Sequence, residues 1–565
     1  MPSPFPAIDR LLQAQQWNEA VRAIDALPGA ATDVPALQRR RRMALAMAGR
    51  LVEALESAQR VVAGPEAEPA DLQHLAHILL RTGRHGEAFD AAAAAIRAAP
   101  SPVRPHAIAI AAAVLEPDVA PRLVALLGPP PTDEGHAPRP CRARTVAVPW
   151  RLPVYRPYSG PHPVITSTLG RGCRFEPRWA TAATPAQPAR ALPMLPALTA
   201  WAARLDAAGR AALAEFLVHR LPFCFHAVPA ADLTFHHTVP FALPGAAGNR
   251  PWVLHLEHLN MLFAPMITYP TAVVRPDDPQ VALVRDLLAD DACLGVFTHI
   301  RETKALVDRL FDDPRIRVKT VYRRFGFDLE PTRRRPKAPA VRRTVTSLLF
   351  TNSLARDNFF IRGGPDVLGA FVDLHRRHGG IRLVMRSATP EFGAEELIRR
   401  TRRHPAIAWL TEPLSDAEID TLYEEADLFL LPSGLLHAVS LVRALRAGLG
   451  VVASDVFGVS EFLRNRVNGL VVPGRRASVT PRVEGAVFAE DSRRLLHPSS
   501  EPPEPLFHAR FRAAVDLLLR NPHLQAALRR NARFGAARDH AGERWAADVS
   551  TYVEERWAAR PLSLR

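Results

Sequence analysis

In LPSGLLHAVSLVRALRAGLGVVASD, Leu431 to Asp455, an apolar strand end gives way to a loop, a helix start and a second apolar strand. The polar side chains set into that apolar frame are His437, Ser440 and Arg443. Upstream, LLFTNSLARDNFFIRGGPDVLGAF places Arg356 and Arg362 after another strand, with Gly363 and Gly364 beside the second arginine. A guanidinium is planar and always charged, so it meets phosphate oxygens in pairs of hydrogen bonds. Backbone N–H groups at a helix start, here around Val439, Ser440 and Leu441, bind the same oxygens with the help of the helix dipole. An arginine beside a Gly-Gly turn at a strand end therefore reads as an anion contact, against the plainer reading of a surface arginine in an arginine-rich chain. Titratable groups also gather at strand ends: His236 and His237 close ADLTFHH, His255 lies in PWVLHL with Glu257 and His258 after it, and His299 ends LGVFTH. A strand-end histidine is as often a hydrogen-bonded structural residue as a functional one.

These residues have to be held by sheets. Candidate strands are HPVITSTL (162–169), ADLTFHH, PWVLHL, LGVFTH and VKTVYR, with helices such as ETKALVDRLF between them. A second series follows in TVTSLLFTNS, IRLVMRS, AIAWLTE, ADLFLLPS, GVVASD and GLVVP. Strands that alternate with amphipathic helices predict parallel sheets covered on both faces. Two such sets predict two Rossmann-like domains, each with a cleft at the carboxyl ends of its strands. Before them, residues 1–127 are rich in Ala and Leu with apolar spacings of three and four, which predicts helix. Glu-Ala pairs recur at 19/20, 53/54 and 87/88, a period of 34, and Gly49 and Gly83 each precede a repeat alanine by five residues. This resembles the tetratricopeptide repeat, with most of the large signature residues missing, and implies a short solenoid whose concave face would dock a protein or a second copy of the chain. A plain helical bundle supporting the next domain is the simpler reading.

The second strand series is where a resemblance becomes specific. Arg356, Arg362, Gly363 and Gly364 after a strand, Asp-Leu-Phe to Pro-Ser at 426–433, Ala-Gly-x-Gly-Val-Val-Ala-Ser-Asp at 447–455, Gly-x-x-Glu ending at Glu461 and Asn-Gly-Leu-Val-Val-Pro at 468–473 follow one another in an order that resembles a GT-B glycosyltransferase. The chain is most similar to glycosyltransferase family four, also called group 1. The resemblance implies a multidomain fold class: an all-α tetratricopeptide-like solenoid at 1–127, a Pro-rich linker at 128–150, then two α/β Rossmann-like domains. These are an acceptor domain at 151–340 and a nucleotide-sugar donor domain at 341–505, followed by closing helices at 506–565 that cross back to the first. It further implies a nucleotide-diphosphate sugar as donor substrate and no essential metal. The implied donor contacts are Arg356, Arg362, Gly363, Gly364, His437, Ser440, Arg443 and Glu461. His255 is the implied catalytic residue, orienting or stabilising the reacting sugar, with His236, His237 and His299 as rivals. One departure stands out: the family has Glu, seven residues, then Glu where this chain has Leu435 and Arg443. An acceptor of hydrogen bonds has been exchanged for a donor.

Composition bounds the remaining classes. The chain has 565 residues, 48% of them hydrophobic, and a formal net charge of +15. The basic residues are nearly all arginine and are spread along the chain, lysine standing only at 304, 319 and 337, which argues against a nucleic-acid face. Cys141, Cys173, Cys224 and Cys293 form no CxxC pair and read as free thiols in a reducing compartment. The N-terminal text lacks a basic flank before an apolar core, and no apolar run reaches the roughly eighteen residues that span a bilayer. The expectation is a cytoplasmic protein whose membrane contact, if any, is peripheral at the inner face. The functional expectation is a retaining hexosyltransferase acting on a glycan, lipid-linked sugar or protein in polysaccharide biosynthesis. The alternatives are a non-catalytic scaffold with a degenerate GT-B module, which the missing Glu pair favours, and a sugar-nucleotide epimerase.

Overall fold

The structure is a computed structural model, and it describes residues 5–13, 16–27, 34–131, 144–149, 175–179, 186–226, 231–244, 250–263, 276–326, 345–352, 358–390, 394–474 and 504–560. Arg356 and the expected strand at 162–169 lie outside these residues. The described chain falls into two compact units, one of residues 1–297, 310–320 and 552–565 and the other of 298–309 and 321–551.

The first unit begins with helices Pro6–Gln13, Trp17–Asp25, Pro35–Met47, Leu51–Ala63, Pro69–Arg81 and His85–Ala98. The period of 34 is a packing period: Ala20, Ala54 and Ala88 are all 0% exposed, because each lies where neighbouring helices approach too closely for a larger side chain. The glycines recur for a backbone reason. Gly49 and Gly83 sit at φ 78° and 77°. In both turns the glycine N–H returns to a carbonyl three residues back, at Ala46 or Leu80. The next N–H, of Arg50 or Arg84, returns five residues back, to Leu45 or Leu79. This is the paired closure that ends a helix on a left-handed residue, where glycine carries no Cβ penalty. Helix Val103–Leu115 is apolar on every side, and its residues from Pro105 to Leu115 are all buried, as a helix without a polar face must be. It packs against helix Ala207–Cys224, where the buried Arg220 donates to the Leu262 carbonyl at 2.9 Å and stacks on Phe216.

The first sheet has the order β2-β1-β3-β4-β5-β6. Its strands are β1 (Arg144–Val148), β2 (Phe175–Trp179), β3 (Leu233–His237), β4 (Trp252–His255), β5 (Cys293–Thr298) and β6 (Thr320–Tyr322). The pairings from β2 through β5 are parallel. Every residue of β3, β4 and β5 is buried, which is why they read as unbroken apolar runs. One expectation is corrected here. The stretch 128–150, read as a linker, carries β1, whose five residues end just before Pro149 and were hidden by the proline-rich text around them. The closing helix Gly542–Ala558 brings Tyr552 into this unit, where its hydroxyl donates to the Val296 carbonyl at 3.3 Å.

The second sheet is wholly parallel, in the order β12-β11-β10-β7-β8-β9. Its strands are β7 (Thr346–Thr351), β8 (Ile381–Arg386), β9 (Ile407–Leu410), β10 (Leu428–Leu431), β11 (Gly450–Ser454) and β12 (Leu470–Val472). Leu348, Phe350, Leu383, Leu430 and Val452 form the core with Phe371 and with Phe507, Phe511 and Val515 of helix Pro505–Arg520. Strand order reverses between β7 and β10, so the crevice that such sheets use for ligands opens at the carboxyl ends of those two strands.

The helical arm is tied by a buried ion cluster. Asp71, 1% exposed, accepts from Arg42 Nη1 at 2.9 Å and from Arg39 Nη2 at 2.8 Å. Burial opposes its ionisation, but hydrogen bonds from Arg39 and Arg42 and from the Glu68 N–H outweigh it and bring the carboxyl down to about 2. A carboxyl depressed from 3.8 to about 2 contributes its stabilisation above the unfolded value and loses it as pH falls toward about 2. Asp71→Asn should therefore cost about 2 kcal/mol at neutral pH and almost nothing near pH 2, read from guanidinium unfolding followed by helical circular dichroism at both pH values.

Candidate functional site

At the strand-order reversal the chain is stitched across the crevice. The turn after β7 and the turn after β10 meet through a Gly434 N–H donated to the Ile361 carbonyl at 2.6 Å and a Ser433 hydroxyl donated to the same oxygen at 3.2 Å. Gly363 sits between them at φ 77°, and a Cβ there would come within 2.9 Å of the Pro432 carbonyl carbon. Gly364 next to it would run a Cβ into the Phe359 ring. The two glycines thus permit a close backbone approach, which joins the turn bearing Arg362 to the Pro432–Gly434 turn that leads to helix Ala438–Ala447.

That helix begins without a side-chain cap, His437 holding the N-cap position at φ −127° and ψ 76°. Its first N–H groups, including those of Val439 and Ser440, lie at the positive end of the helix dipole. His437 Nε2 is buried and has no hydrogen-bond partner among the described residues. Ser440 hydrogen-bonds to the Tyr423 hydroxyl, and Arg362 and Arg443 act on it through their charge. Tyr423, 1% exposed, shares a hydrogen bond of 2.7 Å with Thr351 Oγ1 at the end of β7. Burial pushes the Tyr423 hydroxyl up, against the lowering exerted by Thr351, Ser440, Arg443 and Arg362.

Arg386, the last residue of β8, completes the group. Its Nη1 donates to the Asn352 carbonyl at 2.5 Å, while Asn352 donates from its side chain to Ser387 at 3.1 Å. Burial pulls the Arg386 guanidinium down, and the neighbouring Arg443 adds to the shift. Residues Thr351, Asn352, Arg386 and Tyr423 went unread in the sequence. The one available signal was an arginine closing the strand IRLVMRS.

Other expected residues have different surroundings. Arg443 is 6% exposed and turned toward helix Asp416–Glu425, its Nη2 2.6 Å from Asp416 and its Nε 3.1 Å from Asp420, two carboxylates one helical turn apart. Glu461 accepts from the Arg301 N–H at 3.0 Å and from the Tyr322 hydroxyl at 2.8 Å, so it caps helix Arg301–Phe311 and stands outside the Tyr423 group. Among the described residues, no group of three His, Cys, Asp or Glu side chains is placed to hold a metal ion.

In the first unit, register places His237 of β3 opposite His255 of β4. Their Nδ1 atoms are 3.0 Å apart, so one ring must donate to the other, and the His255 ring lies between His237 and Phe297 at centroid distances of 5.0 and 4.9 Å. His255 is 0% exposed. Just past it Thr238 takes φ 62°, an uncommon angle for a β-branched residue, and its N–H donates to the His255 carbonyl at 2.7 Å. His236 points to the other face, edge-on to Trp252, where burial and Arg220 drive its ring down to about 3. His258 is likewise pushed down, to about 4, by burial. His299, in the second unit, packs among Phe325, Phe462 and Trp545.

Residues 350–483, which carry Arg362, the uncapped helix and β8 to β12, match the family model described as Glycosyl transferases group 1. No curated protein matches the chain. Among solved structures, the chain is similar to HepE from Anabaena in complex with UDP, at 13% identity over 57% of this chain and 79% of that one, with a TM-score of 0.38. It is similar to a glycosyltransferase from Rickettsia africae at 12% identity over 58% and 78%, with a TM-score of 0.38. It is also similar to sucrose-phosphate synthase from Thermosynechococcus elongatus at 13% identity over 58% and 74%, with a TM-score of 0.41. Residues 350–483, most of the second sheet, are thus similar to a group 1 glycosyltransferase domain, and they follow an α/β sheet whose pairings from β2 through β5 are parallel.

The ion pairs of Arg443 make a measurable distinction. Removing its charge takes from Asp420, 3% exposed, the guanidinium that stands 3.1 Å from its carboxylate. Arg443→Met should lower stability by about 3 kcal/mol, and the double variant Arg443→Met with Asp420→Leu should recover most of that loss in urea unfolding.

Proposed function

We propose that the protein transfers a sugar from a nucleotide-diphosphate donor to a hydroxyl of a glycan, lipid-linked sugar or protein, with retention of anomeric configuration. The observation that carries this reading is that the turn bearing Arg362, the strand end at Arg386 and the turn leading to the uncapped helix Ala438–Ala447 all follow the carboxyl ends of β7, β8 and β10 at the strand-order reversal, inside the segment that matches the glycosyltransferase family. Departure of a nucleoside diphosphate builds negative charge on its phosphate oxygens. Guanidinium groups and helix-start N–H groups that are already in place stabilise that charge without reorganising. Thr351, Tyr423 and Ser440 fix the frame in which the arginines work, and His437 Nε2 supplies a further polar contact.

In this reading the arginines and the helix end do the work that a divalent ion does elsewhere. The His237–His255 hydrogen bond couples the tautomer of His255, the residue proposed to orient the reacting sugar, to that of His237. The helical arm is a tetratricopeptide-like solenoid that docks a protein partner or a second copy of the chain. A second reading, a binding platform without catalysis, is favoured by one observation: Arg443 stands where a carboxylate would accept hydrogen bonds, and its charge is spent on Asp416 and Asp420.

A thermal-shift series with UDP-, GDP-, ADP- and CMP-sugars tests the donor. A matching donor at a hundredfold excess over its Kd should stabilise by about 2.7 kcal/mol, and chelation by EDTA should leave that gain unchanged. Arg362→Ala and Arg386→Ala should each weaken the donor about tenfold, the loss of a charge-assisted hydrogen bond, while circular dichroism stays native. Stabilisation by a donor that is never hydrolysed or transferred would favour the platform over the enzyme.

A further inference from the structure

Arg443 brings a second carboxylate with it. Helix Asp416–Glu425 follows β9, and its first turn is fixed by a reciprocal cap: Ser415 Oγ accepts the Glu418 N–H at 3.3 Å, and the Glu418 carboxylate accepts the Ser415 N–H at 2.7 Å. Asp416 and Asp420, one turn apart on this helix, both meet Arg443. The two are not equivalent. Asp420 is 3% exposed and balances the guanidinium from inside, whereas the Asp416 side chain is 42% exposed. One guanidinium between two carboxylates leaves a surplus negative charge, and the exposed member carries it.

The Asp416 carboxylate is held in place as well as exposed. Arg443 Nη2 donates to its Oδ1 at 2.6 Å, and its Oδ2 has no hydrogen-bond partner among the described residues. Its charge reaches Arg386: burial lowers that guanidinium, Tyr423 and Asp416 raise it, and Arg443 lowers it further. Asn352, whose carbonyl takes the Arg386 Nη1 hydrogen bond, is 2% exposed, and its Oδ1 also has no partner among the described residues. Two acceptors, Asp416 Oδ2 and Asn352 Oδ1, are thus left without donors in residues that interact with Arg386.

We propose that Asp416 accepts hydrogen bonds from neighbouring hydroxyls of the nucleotide-sugar donor, and that Arg443 is the residue that positions it. A carboxylate repels phosphate oxygens, so the diphosphate is not its partner, and an apolar group would strip water from it without replacing the hydrogen bonds. Hydroxyls each bring a proton, and a fixed carboxylate with an open oxygen accepts them. Arg443 then carries on the next helix the acceptor that is missing at its own position. This assignment rests on the donor reading above. Hydroxyls of the required kind stand on both sides of the diphosphate, on the ribose and on the transferred sugar.

Calorimetry on the full-length chain separates the two sources. Whichever of UDP, GDP and ADP gives the largest thermal shift is titrated alongside its 2′-deoxy and 3′-deoxy counterparts and its nucleotide sugars. A ribose contact gives the wild type about a tenfold preference for the ribonucleotide, and Asp416→Ala abolishes it by weakening the ribonucleotide alone. A contact to the sugar leaves that comparison unchanged, and Asp416→Ala instead removes the tighter binding of a nucleotide sugar over its diphosphate. The double variant Arg443→Met with Asp420→Leu, native by circular dichroism, should lose the same preference as Asp416→Ala because its Asp416 is no longer held; a preference kept there would overturn the positioning role of Arg443. Both preferences intact in Asp416→Ala, or an equal loss for every ligand, would overturn the role of Asp416 and leave the donor reading standing. A chain that binds no nucleoside diphosphate and no nucleotide sugar overturns both.

Discussion

The closeness of two backbone turns at the carboxyl end of the second sheet decides the geometry of everything around it. Gly363 reaches the Pro432 carbonyl with no room for a Cβ, and the Ile361 carbonyl takes hydrogen bonds from both Gly434 and Ser433. That contact joins the turn bearing Arg362 to the turn that launches helix Ala438–Ala447. The glycine pair thus acts through shape, and the charge is supplied by what the shape brings near. The Tyr423 hydroxyl is hydrogen-bonded to Thr351 and Ser440 and feels the charge of Arg362 and Arg443.

Arginine is used in this chain for two purposes that composition does not separate. Much of it is structural. Asp516 gathers Arg377, His378 and Arg520, Arg512 pairs with Asp373, and Arg529 pairs with Asp427, so charge fastens helix Pro505–Arg520 to helix Gly364–His378 and its successor to the start of β10. Arg443 belongs with these by contact, since Asp416 and Asp420 take its charge. Arg386 is half buried at a strand end and pointed at the crevice mouth through Asn352. A net charge of +15 is the sum of such uses, which is why it predicted no partner by itself.

Most strands were legible because a parallel sheet buried on both faces leaves unbroken apolar runs, as in LFLL and GVVAS. β1 was not, because five residues inside proline-rich text carry too little pattern to stand out. Arg362 and Ser440 were legible because each sits beside a glycine turn or a helix start, features that are local in sequence. Tyr423, Arg386 and Asn352 were not, since each comes from a different strand or helix and only the sheet order makes them neighbours. The His237–His255 contact has the same origin: eighteen residues separate the two rings in the chain, and register alone sets them 3.0 Å apart.

The sequence by itself determined the periodicities. A 34-residue spacing marks Ala20, Ala54 and Ala88, which the fold buries completely, and alternating apolar runs and amphipathic helices predict the parallel sheets. Tertiary structure alone decided the company that each polar group keeps. Arg443 could have faced a ligand or a carboxylate, and Glu461 a crevice or a helix end. The choice lay with Asp416, Asp420, Arg301 and Tyr322, residues brought within hydrogen-bond range by strand order and not by chain distance. Electrostatic partners act over a few ångströms, and a few ångströms in this fold cross tens to hundreds of residues of sequence.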